Sequence, residues 1–174
     1  MYRGDELWFS ALVDPDNRRA VDWRVRDVAL KDVAGLSDLS GCLVTWRNEM
    51  DVSRLKMLIG IRLLEFRRIN AQMMASYNYQ RITVIGRQAD SVFAFRRCSG
   101  ERELVVVVPR LTRGLGDTPV GEVWGDTHLV LPEWSARAWH GLIHEEEHAA
   151  TSGTLRLADV FSVLQVAALV GNRS

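Results

Sequence analysis

The chain has 174 residues, of which 47% are hydrophobic and 25% charged, and its formal net charge is zero. This composition suits one medium globular domain, or a small domain with a fragment of another. Arginines alternate with acidic residues, so we expect neither a nucleic-acid surface nor a basic membrane-docking segment. No run approaches 18 uninterrupted apolar residues, so nothing is predicted to span a bilayer.

The cysteines and the N-terminal residues indicate a compartment. Cys42 and Cys98 are far apart and form no C-x-x-C pair, which is typical of isolated thiols in a reducing environment. The chain opens without the basic and then apolar pattern of a secretion signal. These features predict a cytoplasmic protein. As a separate expectation, we predict no cofactor.

Helical patterns occupy roughly the first 75 residues. Turn-forming residues predict an irregular loop over residues 1–20. Helices are predicted over 22–33 and 51–70, each beginning at an aspartate that can cap it, and residues 35–41 are predicted to be a loop.

The predicted helix over residues 51–70 is apolar on two sides, which implies neighbours on two sides. If those neighbours are missing, a patch of several hundred Å² would favour self-association or contact with another domain. One stripe contains Leu55, Leu58, Ile59, Phe66 and Ile69, and the other contains Met57, Ile61 and Leu64.

From about residue 75 onward the apolar residues alternate with period two, which predicts strands. Residues 104–108 form a continuous apolar run that suits a central strand buried on both faces, and Ser99 and Gly100 before it suit a hairpin turn. We predict a β-sandwich of six to eight short strands; residues 157–164 fit a strand or a helix. The other expected strand positions are Ile82 with Val84, Phe93 with Phe95, Leu129 with Leu131, Trp139 with Ile143, and Val166 to Val170.

The residues from His144 to His148 satisfy the H-E-x-x-H spacing of zinc peptidases. On a helix that spacing places two imidazoles on one face, with Glu145 as the base. Zinc needs a third ligand, however, and no glutamate follows Glu147, while Thr151 stands where one class of zinc peptidases requires glycine. We therefore expect a charged, solvated hairpin tip or helical turn, and no metal.

Two groups of motifs carry a resemblance to a known family. Residues 2–6 (YRGDE) and 14–19 (DPDNRR) resemble the end of the barrel in the α-amylase superfamily, where an aromatic-x-Gly-x-Glu sequence closes the eighth strand and a D-P-x-N-R loop follows. With Leu7 and Trp8, they resemble maltooligosyltrehalose synthases in particular. Residues 109–111 and 115–127, together with 90–97 and 166–169, resemble the C-terminal domain of that subfamily.

This resemblance implies an α+β chain with two parts. Residues 1–73 would be the end of a (β/α)8 barrel, comprising a subsite loop and outer helices, and residues 74–174 would be an antiparallel β-sandwich C-terminal domain. The family rearranges the reducing-end linkage of a maltooligosaccharide from α-1,4 to α,α-1,1. A maltooligosaccharide ligand and contact with the barrel domain are therefore the implied partners.

The resemblance also implies that no catalytic residue is present. In the superfamily, the nucleophilic Asp, the acid/base Glu and a third Asp follow barrel strands four, five and seven, whereas Met1 aligns with the end of strand eight. Retaining transfer needs two carboxyl groups about 5 Å apart on a rigid scaffold. We therefore expect this chain alone to be inactive.

Four residues are the candidate substrate contacts. By motif position, Asp14 would accept hydrogen bonds from glucosyl hydroxyls and Arg18 would donate to them or orient Asp14, while Tyr2 or Trp8 would offer a ring to the apolar face of a sugar. The alternative is a polar turn with an internal Asp–Arg pair. The remaining tryptophans are expected in the core or at its rim: Trp46, Trp124, Trp134 and Trp139.

Two other functions stay open on the sequence. The first is a stand-alone glucan-binding module, which predicts measurable affinity for maltoheptaose. The second is an interaction protein that docks on an intact synthase or a related enzyme.

Overall fold

A computed structural model describes residues 4–9, 11, 13, 15, 18–36, 39–48, 52–75 and 78–173. By the clustering of contacts, the chain divides into two compact units, Met1–Leu64 and Glu65–Ser174. The division falls inside a long helix. The predicted domain boundary between residues 73 and 74 stays a prediction.

The first unit is helical, and its first helix begins as its sequence predicts. Helix α1 (Trp23–Ala34) is capped by Asp22, whose Oδ1 accepts a hydrogen bond from the backbone N–H of Val25 at 3.2 Å. Such a cap satisfies one of the backbone donors that a helix start leaves without a partner. Helix α2 follows as Leu39–Asn48.

Helix α2 corrects the loop predicted over residues 35–41, because the helix already begins at Leu39. Leu43 and Trp46, three residues apart on α2, are both buried. Two apolar residues at this spacing are enough to favour a helix once a neighbouring element packs against them.

Helix α3 then runs Val52–Ile69, close to its predicted bounds; the predicted cap Asp51 lies outside the described residues. A short helix, α4, follows as Ala71–Ala75.

The second unit contains two antiparallel sheets. The larger has six strands in the order β1-β3-β4-β9-β6-β7, and the smaller has three in the order β2-β5-β8. The strands are β1 (Gln80–Arg81), β2 (Thr83–Ile85), β3 (Val92–Ser99), β4 (Arg102–Pro109), β5 (His128–Val130), β6 (Ala138–Gly141), β7 (Glu147–Ala149), β8 (Thr154–Arg156) and β9 (Ala167–Asn172).

The core of the second unit draws side chains from both sheets, which confirms the predicted layered arrangement. Val105 and Val107 of β4 contribute from the larger sheet, and Leu129 of β5 contributes from the smaller one. Trp124 and Phe161 are fully buried in the same core with their ring centroids 5.1 Å apart. Burial of such aromatic pairs is a large apolar contribution to folding.

Strand β4 confirms the prediction of a central strand. It pairs with β3 on one side and β9 on the other, and its hairpin with β3 turns at Gly100, as the Ser-Gly pair predicts. The ambiguous stretch over 157–164 begins with a short helix, α5 (Leu157–Val160). The described residues hold nine strands, more than predicted, because strands as short as β1 have too few residues to show a period.

The described helices have no membrane-spanning candidate, since none is both long and apolar enough for a bilayer.

Candidate functional site

Of the four predicted substrate contacts, Trp8 and Arg18 lie among the described residues, and Tyr2 and Asp14 lie outside them. The Trp8 side chain is 64% exposed, so much of its surface is open to solvent. The backbone N–H of Arg18 donates to the carbonyl of Pro15 at 3.1 Å.

Arg26 of α1 holds the start of the N-terminal segment. Its guanidinium donates from Nε (3.1 Å) and from a second nitrogen to the carbonyl oxygen of Gly4, and from the remaining nitrogen to the carbonyl of Asp22 at 3.0 Å. Nε also lies 3.5 Å from a carboxylate oxygen of Glu6. Arg26 is buried. A buried guanidinium needs such a set of acceptors, because an unpaired charge away from water is costly.

Gly4 is required where Arg26 binds it. Its φ is +86°, in the region that glycine adopts without strain. A Cβ atom at this position would lie 2.8 Å from a methyl carbon of Val21 and 3.3 Å from the guanidinium of Arg26. The glycine therefore allows the carbonyl to approach the arginine.

Lys56 of α3 holds the middle of the same segment. Its ammonium lies 3.0 Å from Oδ1 of Asp5 and 3.4 Å from the carbonyl oxygen of Leu7. It also lies 4.6 Å from the centroid of the Trp8 ring, within cation–π range. Lys56 therefore places the exposed indole relative to the helix.

Two arginines flank the ring at the end of the segment. The guanidinium carbons of Arg19 and Arg26 lie 5.2 and 5.3 Å from the centroid of Phe9. The segment from Gly4 to Phe9 is thus contacted by cations from α1 and α3 and by Arg19, which lies between the segment and α1 in the sequence. It presents an exposed indole near two carboxylates, each of which lies beside a cation.

Sequence reasoning missed Arg26 and Lys56. For Arg26 a signal exists: it shares the buried face of α1 with Ala29 and Val33, at the spacing of an apolar stripe. A charged residue at such a position indicates a buried partner. Lys56 shows no comparable signal.

The H-E-x-x-H residues do not form a helix. Glu145 has a φ of +61° and residues Glu147–Ala149 are strand β7, with His148 opposite Trp139 of β6. The helical face that would carry both zinc-binding imidazoles is therefore not formed. In the described part of the chain, no group of three His, Cys, Asp or Glu residues is arranged to hold a metal ion.

The prediction of a solvated tip is wrong for His144, which is buried. Nε2 of His144 lies 2.7 Å and Nε2 of His148 lies 3.6 Å from Oε2 of Glu146. Ser162 donates its hydroxyl to the same carboxylate at 3.0 Å. Burial lowers the pKa of His148 below its ordinary value, with a weaker opposing effect of Glu146. We call these four residues the histidine cluster.

A buried ion pair in the second unit was also missed. Glu103 on β4 is fully buried, and its Oε1 lies 3.2 Å from the guanidinium of Arg96 on β3. Its other oxygen accepts from the Ser135 hydroxyl at 2.6 Å and from the Ala136 backbone N–H at 3.2 Å. Arg96 is itself buried in this network.

Trp134 lies beside that ion pair at the rim of the core. The guanidinium carbons of Arg96 and Arg173 lie 4.0 and 4.9 Å from its ring centroid. Trp46, Trp124 and Trp139 are buried, so the expectation of core or rim positions holds for these tryptophans.

The chain was compared with protein-family models and with curated proteins. No protein-family model matches it. Maltooligosyl trehalose synthases of two Mycobacterium tuberculosis strains, CDC 1551 and H37Rv, are 34% identical to it over 135 residues, which are 78% of this chain and 14% of theirs. The chain thus spans about a seventh of the length of the curated relatives it matches.

The solved structures agree. Maltooligosyltrehalose synthase from Arthrobacter ramosus matches 99% of this chain with a TM-score of 0.70 and 27% identity, over 20% of its own length. A single-substitution variant of that enzyme matches equally.

Proposed function

Because this chain is homologous to maltooligosyltrehalose synthases, we propose that it serves as the C-terminal part of such an enzyme. The parent reaction would be the intramolecular transfer that converts the reducing-end α-1,4 linkage of a maltooligosaccharide into an α,α-1,1 linkage, in trehalose biosynthesis. The carrying observation is that nearly the whole chain, 99%, has its fold within one fifth of a solved synthase.

The part of the site that the chain contributes is the segment around Trp8. Its indole would cover the apolar face of a glucosyl unit, while Asp14 and Arg18 would exchange hydrogen bonds with sugar hydroxyls and Tyr2 would add a second ring. The fixed position of Trp8 beside Lys56 supports this role, because a site is effective when its contacts are held before the ligand arrives.

The proposal assigns the nucleophile and the proton donor to the rest of the enzyme. The carboxylates nearest Trp8 in sequence, Asp5 and Glu6, are each paired with a cation, Lys56 and Arg26 respectively. Retaining transfer instead needs one carboxylate directed at the anomeric carbon and one carboxylic acid directed at the leaving oxygen. The ion pairs support a structural role for both residues.

We place this function in the cytoplasm. The thiols of Cys42 and Cys98 are both free, which fits a reducing compartment.

The test is a chimera in which this chain replaces the matching fifth of the Arthrobacter ramosus synthase. The chimera should form trehalose-capped products from maltooligosaccharides, and this chain alone should form none. Trp8→Ala in the chimera should raise KM with a smaller effect on kcat, whereas Trp134→Phe, at the rim of the other unit, should change neither. A folded chimera without product, or product from the chain alone, would refute the proposal.

A second candidate is a stand-alone glucan-binding or protein-interaction module. The exposed, fixed ring of Trp8 is the observation that favours it. Calorimetric titration of the isolated chain with maltoheptaose separates the two: heat that disappears in Trp8→Ala supports the module, and a flat titration removes its glucan-binding form.

A further inference from the structure

A cavity of about 310 Å³ lies at one end of the larger sheet, within the second unit. Arg96 and Cys98 lie two residues apart on β3 and therefore share a face of the sheet, and Gln80 of β1 lies opposite Arg96. The cavity is bounded by this face and by residues from three further segments. Its volume is at the lower end of the range of small-molecule sites. It is lined by Asn78, Gln80, Cys98, Gly100, Trp134 and Arg173.

The two arginines at this cavity differ in how their charge is compensated. The guanidinium of Arg96 lies 3.2 Å from Oε1 of the buried Glu103, so its charge has a counter-charge. The guanidinium of Arg173 donates to the carbonyl oxygen of Gly100, which is a neutral group. Among the residues that the structure describes, no carboxylate pairs with Arg173. One positive charge at the cavity therefore lacks a partner of opposite sign.

Arg173 also has a donor that the protein does not use. Its backbone N–H donates to the carbonyl of Glu101 at 2.7 Å, which fixes the start of the side chain. Its Nε atom is buried and has no hydrogen-bond partner in the described part of the chain. A buried donor without an acceptor is costly. An oxyanion would supply both the acceptor and the missing charge, and a phosphate group matches the planar donors of an arginine especially well.

Trp134 holds the two guanidiniums at the edge of the cavity. Their central carbons lie 4.0 Å (Arg96) and 4.9 Å (Arg173) from the centroid of its ring, within cation–π range. The ring thus supports the cations, and recognition of a ligand does not require it to touch the ligand.

Neutral amides form another part of the cavity wall. Nδ2 of Asn78 donates to the carbonyl of Cys98 at 3.4 Å, and Oε1 of Gln80 accepts from the guanidinium of Arg96. These contacts leave the amide oxygen of Asn78 as an acceptor and the amide nitrogen of Gln80 as a donor. Such a pair suits hydroxyl groups, because a hydroxyl both donates and accepts.

From these observations we propose that the cavity binds the phosphate monoester of a small hydroxylated molecule, that is, a sugar phosphate. The phosphate group would lie on the guanidinium of Arg173, and the hydroxyls would lie on the amides of Asn78 and Gln80. A neutral sugar would leave the charge of Arg173 uncompensated. The proposal concerns the second unit alone and does not depend on the proposed function.

Calorimetric titration of the chain with glucose 1-phosphate, inorganic phosphate and glucose tests this site. Glucose 1-phosphate should bind, and inorganic phosphate should bind about tenfold more weakly, because it lacks the hydroxyls that the two amides recognise. Glucose should give no heat. At ten times its Kd, glucose 1-phosphate should raise the melting temperature by roughly 3 °C or more. Equal affinity for both phosphates, or no binding of either, would overturn the proposal.

Variants assign the binding to this cavity. Arg173→Met should weaken the binding of both phosphates about tenfold or more, and Arg173→Lys, which keeps the charge, should recover part of it. Asn78→Ala should weaken the binding of glucose 1-phosphate but not that of inorganic phosphate. Arg113→Met is the matched control, since Arg113 is an exposed arginine of the same unit that does not line the cavity, and it should change neither affinity.

The melting temperature of each variant without ligand shows whether it is folded. A folded Arg173→Met that binds glucose 1-phosphate as the unchanged chain does would overturn the proposal. If Arg173→Met does not fold, Asn78→Ala decides, because an unchanged affinity for glucose 1-phosphate in that variant would exclude recognition in this cavity.

Discussion

The two units of this chain are stabilised in different ways. The second unit encloses a core between two sheets and includes a buried ion pair, Arg96 with the fully buried Glu103. The first unit fixes an irregular segment by means of Arg26 and Lys56, and leaves apolar side chains such as Leu64 exposed. A unit that completes its own core can be predicted to fold by itself, whereas an open unit indicates surfaces that bind something else.

The largest expected effect is in the closed unit. Glu103→Gln keeps the size of the side chain but leaves the buried Arg96 without a counter-charge, so the free energy of unfolding should fall by about 3 kcal/mol or more. Urea unfolding of the isolated chain measures it. Glu122→Gln is the control, because Glu122 pairs with Arg156 at the exposed surface, and its midpoint should stay unchanged. Equal effects of the two substitutions would show that the pair at Glu103 is not closed to water.

The same comparison explains what the sequence predicted. The hairpin of β3 and β4, the buried β4 and the Asp22 cap follow from local patterns, since alternation and capping need residues a few positions apart. The contact of Glu103 with Ser135 joins residues 32 positions apart, and that of Lys56 with Asp5 joins residues 51 apart. A pattern among nearby residues cannot indicate partners so far apart in the sequence, so these contacts could be identified only in the structure.

The candidate site shows the same limit. Trp8 and Arg18 are predicted from motifs, but Arg26 and Lys56, which hold the segment, belong to no motif quoted above. The sequence argued against zinc at the H-E-x-x-H residues because it offered two histidine ligands but no third ligand. In the structure these residues lie in a turn and a strand, and His144 is buried. Spacing alone indicates a site only where the secondary structure it assumes is present.

The open unit should depend on Arg26. Arg26→Met removes the donors to the carbonyls of Gly4 and Asp22 while keeping an apolar side chain, and should cost about 2 kcal/mol. Arg24→Met on the same helix, where the side chain is exposed, should cost much less. Hydrogen exchange of residues 4–9 reports whether the loss is local. A loss of protection in the sheets instead would contradict the assignment of Arg26 to the first unit.

A pH dependence is expected from the histidine cluster. Since the pKa of His148 is lowered in the folded chain, chiefly by burial, the folded state binds fewer protons than the unfolded state near the ordinary pKa of 6.5. Stability contributed by the neutral ring is therefore complete above that value and is lost as the pH falls below it. The charged groups that act on the ring are Glu146, His144, Asp159 and Glu147.

Unfolding midpoints measured between pH 8 and pH 5 test this dependence. His148→Gln should flatten the decline over the acidic part of that range, and His128→Gln, outside the cluster, should leave it in place. A decline that is the same in both variants would assign the acid sensitivity to other groups.

The smallest expected effect concerns the contact between Lys56 and Trp8, and it sharpens the comparison because it separates stability from binding. The Trp8 ring is largely exposed and the Lys56 ammonium is partly so, so a double-mutant cycle of Lys56→Met and Trp8→Ala should give a coupling of about 0.5–1 kcal/mol. Arg54→Met with Trp8→Ala is the control cycle, since Arg54 pairs with Asp32 on α1, and it should give no coupling.

The same contact can be tested for a role in binding. If Lys56 positions the ring for a glucosyl unit, Lys56→Met in the chimera should raise KM by more than its small loss of stability explains. Lys56→Arg, which restores the cation, should recover most of that change in KM. An unchanged KM with the coupling intact would mean that the contact serves the fold of the open unit and not its ligand.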